Sequence, residues 1–321
     1  MLRTASFVSL AALLAACSPP EPEPGDPQTE ETAVEIGDSP EARSVEATAP
    51  QTIAEAAAGP WRGDQARARD AARNPVETLE FFGIDPSGTI VEIWPGGGWY
   101  ADILAPWIEA NGGTYVAAWP PVDPSNERAA TFRDRFLERF ESPLYGEATL
   151  APFGADTGAL MAEGSADAIL TFRNVHNWMG AGFAEKAFDD FYAALKPGGV
   201  LGVVEHRQPA SLVQDPRAAT GYVQQDYVVS LAREAGFELV GSSEINANPA
   251  DTADHPFGVW TLPPVNRTSA FGQPANPDFD TAPYDAIGES DRMTLLFIKP
   301  ESVEAGGDAA GEAESEAEDA G

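Results

Sequence analysis

The sequence predicts a doubly wound, Rossmann-like α/β domain with a mainly parallel, seven-stranded sheet and helices on both faces. Short apolar runs alternate with helical patterns in the order of βαβ units. A glycine-rich turn follows the first of these runs and leads into an amphipathic helix. A last apolar run, separated from the others by a long irregular stretch, completes a set of seven.

The strands are predicted from runs of β-branched and aromatic residues bounded by Gly, Pro and Asp. They are Thr89–Trp94, Thr114–Ala118, Ala148–Pro152, Ala168–Phe172, Val200–Glu205, Phe237–Ser243 and Met293–Lys299. Apolar residues at helical spacing predict helices over Tyr100–Ala110, Glu127–Phe140, Phe183–Leu195 and Gln224–Ala235, and one or two helices over Gln65–Phe82 broken at Pro75. The stretch from Asn246 to Ser290 is long for a loop in a compact domain, which favours a functional role.

The charge of the chain is concentrated at its two ends. Residues 18–58 and 301–321 carry 17 of the 32 net negative charges and few apolar residues. Such composition is typical of disordered segments, so we expect a Pro/Glu-rich tether over 18–59, one domain over 60–300 and an acidic tail over 301–321. The acidic balance repels phosphate backbones, so we expect no nucleic-acid partner.

The first 17 residues have the pattern of an export signal, with one Arg, a short apolar run and Leu14-Ala15-Ala16-Cys17. This resembles the lipobox of bacterial lipoproteins, which implies a lipidated Cys17 and a membrane-anchored protein, usually in the periplasm. The alternative is a soluble secreted protein with an incidental Cys. Cys17 is the only cysteine in the sequence, which excludes an intrachain disulfide and a zinc site built from cysteines.

The most informative segment is VEIWPGGGWYADIL, from Val91 to Leu104. It combines a strand, an acid, a glycine-rich turn and an amphipathic helix. Glycine lets backbone amides at a helix N-terminus approach a ligand closely. A tight strand-to-helix turn with no ligand remains the alternative for this motif alone.

Further motifs extend the pattern in order along the chain. They are Ala166–Leu170 (ADAIL), Arg173–Trp178 (RNVHNW), Leu195–Leu201 (LKPGGVL), Ala235–Phe237 (AGF) and Asp254–Pro264 (DHPFGVWTLPP). Together with the glycine turn they resemble class I S-adenosylmethionine-dependent methyltransferases. The match is strongest with predicted bacterial methyltransferases that share the EIWPGGGWY turn.

This resemblance implies S-adenosylmethionine as the cofactor. Its expected contacts are the turn and its preceding acid, the end of the second strand, and polar residues after the third and fourth strands: Glu92, Pro95, Gly96, Gly97, Gly98, Trp119, Asp156 and Asn174. Two tryptophans depart from the family pattern. Trp94 replaces the first motif glycine, and Trp119 replaces the acid that grips the ribose at the end of the second strand. Each could stack on adenine or wall the pocket, or equally fill the space of the cofactor.

Ligands of open α/β sheets bind outside the carboxyl ends of the strands, so residues after strands one, four and five should share a crevice. His176 or His206 is the predicted proton acceptor, with Glu205 to orient it. Alternatively, His176 only anchors its turn and Glu205 pairs with Arg207.

The third histidine, His255, lies in the long irregular stretch, where it is either part of a lid or part of an Asp-capped turn. A metal site made from the three histidines with Glu205 or Asp254 is the alternative, but their spacing is not that of any zinc motif, so we expect no metal.

Two classes of function remain. The leading hypothesis is a methyltransferase acting on a small molecule. The alternative is a lipid-anchored periplasmic binding protein that keeps the fold without transferase activity, and an enzyme of other chemistry built on the same histidines ranks last. The sequence predicts no protein partner.

Overall fold

The structure is a computed structural model, and it describes residues 48–301. The predicted signal peptide, Cys17, most of the tether and almost all of the acidic tail lie outside the described residues. Among residues 48–301, none of the helices has the length and apolar character that a bilayer crossing requires.

The sheet has seven strands: β1 Thr89–Ile93, β2 Thr114–Trp119, β3 Thr149–Pro152, β4 Ala166–Phe172, β5 Leu195–His206, β6 Glu238–Ser243 and β8 Arg292–Ile298. The short β7, Pro256–Val259, lies outside the sheet. The strand order is β3-β2-β1-β4-β5-β8-β6. Strands β1 to β5 pair in parallel, whereas β8 runs antiparallel to both β5 and β6.

Ten α-helices occur in the described part of the chain. They are α1 Ile53–Ala57, α2 Asp64–Ala68, α3 Asp70–Arg73, α4 Pro75–Phe82, α5 Ala101–Ala110, α6 Glu127–Leu137, α7 Val175–Ala181, α8 Ala184–Ala194, α9 Gln225–Ala235 and α10 Ala282–Ile287, with 3-10 turns at Glu138–Glu141 and Pro143–Tyr145.

The core lies on both faces of the sheet because successive strand residues point to opposite sides. Val91 and Ile93 of β1 join one hydrophobic cluster with α7, α8 and α9. Ile90 joins the other, with α1, α4, α5 and α6. The alternation of β1 therefore holds helices on both faces, as the fold class requires.

The N-terminal boundary differs from the prediction. The tether predicted over 18–59 includes α1, which a capping box of Thr52 and Glu55 begins and whose Ala56 and Ala57 are buried. Small residues at helical spacing gave too weak an apolar signal to predict this helix.

Helical and irregular segments also differ in detail. The segment Gln65–Phe82 forms three helices instead of one or two. The predicted break at Pro75 is present, where Asn74 adopts a left-handed conformation before Pro75 starts α4, and Arg69 separates α2 from α3 as a further break. Helices α7 and α10 and strand β7 were not predicted. They are short, and their stability comes from packing rather than from a periodic pattern.

Candidate active site

The candidate active site lies at the carboxyl edge of the sheet. Strands β1, β4 and β5 are neighbours there, so the segments that follow them meet. Strand β8 begins at the same edge because it runs antiparallel to β5 and pairs Arg292 with His206. The long stretch before β8 is thereby brought to the site as well.

The glycine turn is tight and leads directly into α5. Gly98 donates its N–H to the carbonyl of Pro95 at 2.9 Å, and Gly96 and Gly98 have φ values of 57° and 88°, which favour glycine. A Cβ on Gly96 would meet no atom within 4 Å, so the turn is open at this point. A Cβ on Gly98 would lie 2.3 Å from the guanidinium of Arg139. The turn is therefore open on one side and closed on the other.

Arg139 closes the turn and was not predicted as a site residue. Its Nη2 donates to the carbonyl of Gly97 at 2.7 Å, and its Nε donates to the carboxylate of Asp102 at 2.9 Å. The side chain is 2% exposed, and although burial opposes its charge, Asp102 holds the pKa of Arg139 above its usual value. No sequence motif identifies it, because the contact depends on the fold.

Glu92 and Asn174 are buried beside the glycine turn. Glu92 is 2% exposed and accepts a hydrogen bond of 2.6 Å from the hydroxyl of Tyr115, which joins β1 to β2. Asn174 donates its amide to the carbonyl of Ile93 at 2.9 Å, which joins the end of β4 to the end of β1. Asn174 thus positions the backbone that leads into the turn. Asp156, which was also predicted, lies exposed in the turn after β3.

The two tryptophans that depart from the family pattern pack into the core. Trp94 has a φ of 47°, and its ring lies 5.9 Å from that of Trp178, while its indole N–H donates to the carbonyl of Phe153. Trp119, a predicted cofactor contact, is 7% exposed, and its ring centre lies 4.7 Å from that of Phe136 on α6. The ring of Trp119 thus packs beside α6, and its contact with the cofactor stays a prediction.

Glu205 and His176 form the buried centre of the site. Glu205 is 0% exposed, and its carboxylate accepts the backbone N–H groups of His206 at 2.7 Å and of His176 at 3.2 Å. Nδ1 of His176 lies 3.0 Å from the same carboxylate. The N–H of His176 is one of those that the first turn of a helix leaves unsatisfied, so Glu205 also caps α7.

Arg207 is paired elsewhere. The alternative that Glu205 pairs with Arg207 disagrees with the structure, since the guanidinium of Arg207 binds the carboxylates of Asp291 and Glu244.

His206 is held differently from His176. Its Nδ1 lies 2.6 Å from the hydroxyl of Ser290, and Glu205 contacts only its backbone. Burial lowers the pKa of His206 well below its usual value, and the charges of His176, Arg173 and Arg292 act in the same direction. His206 is therefore a neutral ring at physiological pH.

The long stretch before β8 is anchored by Asp251. The carboxylate of Asp251 accepts the hydroxyl of Tyr222 at 3.0 Å and lies 2.7 Å from Nε2 of His255. It also accepts the backbone N–H of Asp291 at 2.8 Å. His255 is thus bound within this stretch, which then contributes Trp260, Leu262 and Ser290 to the site.

Three side chains could hold a metal ion. His176, Glu205 and His206 each offer a ligand atom, and these atoms lie within 4.8 Å of one another. Two histidines and a glutamate form a known zinc ligand set, which the spacing in the sequence did not indicate. The positive charges of Arg173 and Arg292 act on His206 and oppose a cation at this place.

No family model matches the chain, and no curated protein matches it in sequence. Solved structures are similar to it at low identity. A SAM-dependent methyltransferase from Aquifex aeolicus is 14% identical with a TM-score of 0.44, covering 56% of this chain and 87% of its own. The [4+2]-cyclase SpnF is 16% identical with a TM-score of 0.45, covering 75% of this chain and 83% of its own.

A TehB-like SAM-dependent methyltransferase from Corynebacterium glutamicum is 14% identical with a TM-score of 0.39, covering 73% of this chain and 95% of its own. The strand order is observed in the structure of this chain itself, so the assignment of the fold does not depend on these similarities. With β8 antiparallel between β5 and β6, and helices on both faces of the sheet, the fold is the predicted doubly wound α/β fold of the class I methyltransferase type.

Proposed function

We propose that the chain is an S-adenosylmethionine-dependent methyltransferase that acts on a small molecule. The observation that carries the proposal is the open glycine turn at Gly96, which lies at the same sheet edge as the buried His176–Glu205 pair. A cofactor on the turn and a proton acceptor at His176 would then lie at the same edge of the sheet, which supports the proposal.

The residues of the turn fit such a cofactor in part. Gly96 leaves space where a Cβ would stand, and Asn174 fixes the backbone beside it. The ribose-gripping acid of the family is absent from its position, where Trp119 stands, so we propose that the turn and Asp156 hold the cofactor. When bound, S-adenosylmethionine supplies a methyl group on a sulfonium.

In this reaction the side chains of the protein orient the methyl acceptor and remove its proton. When Nδ1–H of His176 donates to Glu205, Nε2 is the ring nitrogen that accepts a proton. The rings of His206 and Trp260 lie 5.4 and 6.1 Å from that of His176. We propose His176 as the general base and Glu205 as the group that orients it and stabilises its charged form.

Calorimetric titration with S-adenosylmethionine and S-adenosylhomocysteine tests cofactor binding. We expect saturable heat, and Gly96→Val should abolish it because the new side chain occupies the open side of the turn. Gly112→Val is the matched control: φ is 78° and a Cβ there also has open space, but it lies in the turn between α5 and β2. Absence of heat near millimolar ligand would contradict the cofactor assignment and favour a binding protein of other specificity.

Replacement of His176 tests the proton transfer. His176→Ala should retain cofactor binding and lose turnover by about 100-fold or more, the usual contribution of a general base. Turnover is followed as S-adenosylhomocysteine formed with a panel of small molecules. Full turnover by this variant would refute the role of His176.

We also propose that the chain is exported and anchored through a lipid on Cys17, on the basis of its lipobox-like sequence. Mass spectrometry of the N-terminal peptide should show a lipidated Cys17, and Cys17→Ser should release the protein from the membrane fraction. An unmodified N-terminal Met1 would contradict this proposal.

A further inference from the structure

A small cavity adjoins His206 of the candidate site. It measures about 30 Å³, room for roughly two water molecules. Its wall includes Arg69 and Arg73 from the N-terminal helices, Arg173 after β4, and His206, Trp260 and Glu289. Elements from both ends of the described chain therefore meet around one opening beside His206.

Positive charge dominates this wall. The carboxylate of Glu289 accepts hydrogen bonds from Nε of Arg69 at 2.8 Å and from Nε of Arg73 at 3.1 Å. Nη1 of Arg292 lies 3.1 Å from it and Nη1 of Arg173 lies 4.0 Å from it. Four guanidinium groups thus converge on one carboxylate, within a protein whose net charge is −32.

These charged groups are buried, which reduces the screening of their charge by solvent. The five side chains are between 2% and 17% exposed. Burial alone would raise the pKa of Glu289, but Arg292, Arg69 and Arg173 outweigh it and hold that pKa below its usual value. Charges in such surroundings are weakly screened by solvent, so a further negative group in the cavity would be attracted strongly.

The chemistry of the wall selects the ligand. A guanidinium is a planar fork of N–H donors that matches the oxygens of a carboxylate or a phosphate. A cavity of this size admits such a head group and little more. His206 lines the cavity, and the ring of His176 lies 5.4 Å from that of His206. A molecule anchored here would therefore lie close to the proposed base.

We propose that Arg69, Arg73 and Arg173 bind the anionic head, a carboxylate or phosphate, of the molecule on which the protein acts. The inference rests on the proposed function in so far as this molecule is the methyl acceptor. Anion binding itself depends only on the cavity and its charge.

Binding of simple anions to the full chain tests the proposal. Inorganic phosphate and succinate are titrated at millimolar concentration and constant ionic strength, with succinamide as the neutral control, and followed by calorimetry and thermal unfolding. We expect saturable binding and a higher unfolding midpoint with one or both anions. Which anion binds more tightly identifies the head group. Equal effects of succinamide, or no effect beyond that of chloride, would overturn the proposal.

Replacement of Arg69 locates the anion, since this is the most exposed of the four arginines. Arg69→Gln should weaken binding about tenfold, as expected for loss of a charged hydrogen bond, and Arg69→Lys should weaken it less. Arg133→Gln, on the exposed side of α6, is the matched control and should leave the affinity unchanged. Wild-type affinity in both Arg69 variants would refute the assignment, and Arg69→Lys still reports if Arg69→Gln does not fold.

Cofactor titration of the same samples separates the two proposals. Anion binding without S-adenosylmethionine binding would retain this site and refute the methyltransferase. Cofactor binding without anion binding would refute this site alone.

Discussion

At the scale of single residues, the site keeps two histidines in different electrostatic states. Glu205 places a negative charge against the ring of His176, whereas His206 contacts a neutral hydroxyl and lies near Arg173 and Arg292. A base needs a partner that stabilises its protonated form, and only the surroundings of His176 supply one among these contacts. The two rings are therefore not interchangeable.

The low pKa of His206 predicts a pH-dependent stability. The unfolded chain binds a proton at this residue near pH 6.5, and the folded protein does not, so the free energy of unfolding should fall as pH drops below that value. The slope contributed by one such group is at most about 1.4 kcal/mol per pH unit. His206→Gln should remove this slope between roughly pH 6.5 and pH 5.

Urea unfolding at several pH values, on the wild type and His206→Gln, measures the effect. Identical slopes in the two proteins would show that His206 titrates normally. The window stays above the range in which carboxylates such as Glu289 take up protons.

At the scale of elements, the stretch between β6 and β8 behaves as a structured wall. Asp251 ties it to Tyr222, and β7 lies along Thr220, whose carbonyl accepts the N–H of Val259 at 2.9 Å. Gly258 makes this approach possible: φ is 62°, and a Cβ would lie 2.3 Å from the carbonyl oxygen of Thr220. Close backbone contact thus explains why glycine stands here.

Gly258→Ala should therefore lower the free energy of unfolding by more than the cost of a left-handed backbone conformation at alanine. Gly272→Ala in the same stretch is the matched control, since φ is 72° but a Cβ has open space. We expect about 1–2 kcal/mol for the control, the cost of a left-handed conformation, and a larger loss for Gly258→Ala because the backbone must also move apart. Denaturant unfolding measures both, and equal losses would contradict the role of the contact.

The elements differ in how well the sequence predicts them. All seven sheet strands were predictable from short runs bounded by turn residues. Strands β1, β2, β4, β5 and β8 are largely buried and apolar, whereas β3 and β6 are mostly exposed or half-buried. The 3-10 turn that carries Arg139 and the short helix α7 were not predictable, since their stability comes from tertiary contacts with Gly97 and Glu205. The crevice with its two histidines followed from topology, whereas the rotamers that put His176 and not His206 on Glu205 did not.

The arginines around Glu289 were also not predictable as a cluster from the sequence. Arg62, Arg67, Arg69 and Arg73 fall close together in a chain with only 19 basic residues, and this was the available signal. Only Arg69 and Arg73 of these four reach Glu289, more than 200 positions away, whereas Arg62 and Arg67 pair with Asp70 and Asp64. The convergence on Glu289 depends on the docking of the N-terminal helices, so no local spacing in the sequence indicates it.

At the scale of the whole molecule, the N-terminal helices are fastened to the last strand across the site. Nη2 of Arg292 donates to the carbonyl of Ala72 at 2.7 Å, and the amide of Asn74 donates to the carbonyl of Ile245 at 2.8 Å. Glu289 adds ion pairs to Arg69 and Arg73. These contacts join the segment of α2 to α4 to β8 and to the stretch before it, beside the cavity.

Glu289 pairs with arginines of both the N-terminal helices and β8, so Glu289→Gln should weaken the attachment of these helices and lower the free energy of unfolding. Removing one partner of a buried ion pair costs about 3–5 kcal/mol, and here it also leaves mutually repelling arginines. Because the pKa of Glu289 is lowered in the folded protein, this stabilisation is complete above the unfolded-state value of about 4.3 and is lost as pH falls through the folded-state value. The difference between wild type and variant should thus be large at pH 7 and shrink in acid.

Urea unfolding of both proteins at neutral and acidic pH measures this difference, with Glu244→Gln as the control. Glu244 also pairs with an arginine, Arg207, but is 69% exposed, so its replacement should cost no more than about 1 kcal/mol. A small loss for Glu289→Gln at pH 7, similar to the control, would mean that packing and not charge attaches these helices. A large loss that inorganic phosphate partly restores would tie the attachment to the anion that the arginines are proposed to bind, since a ligand that binds only the folded state raises its stability.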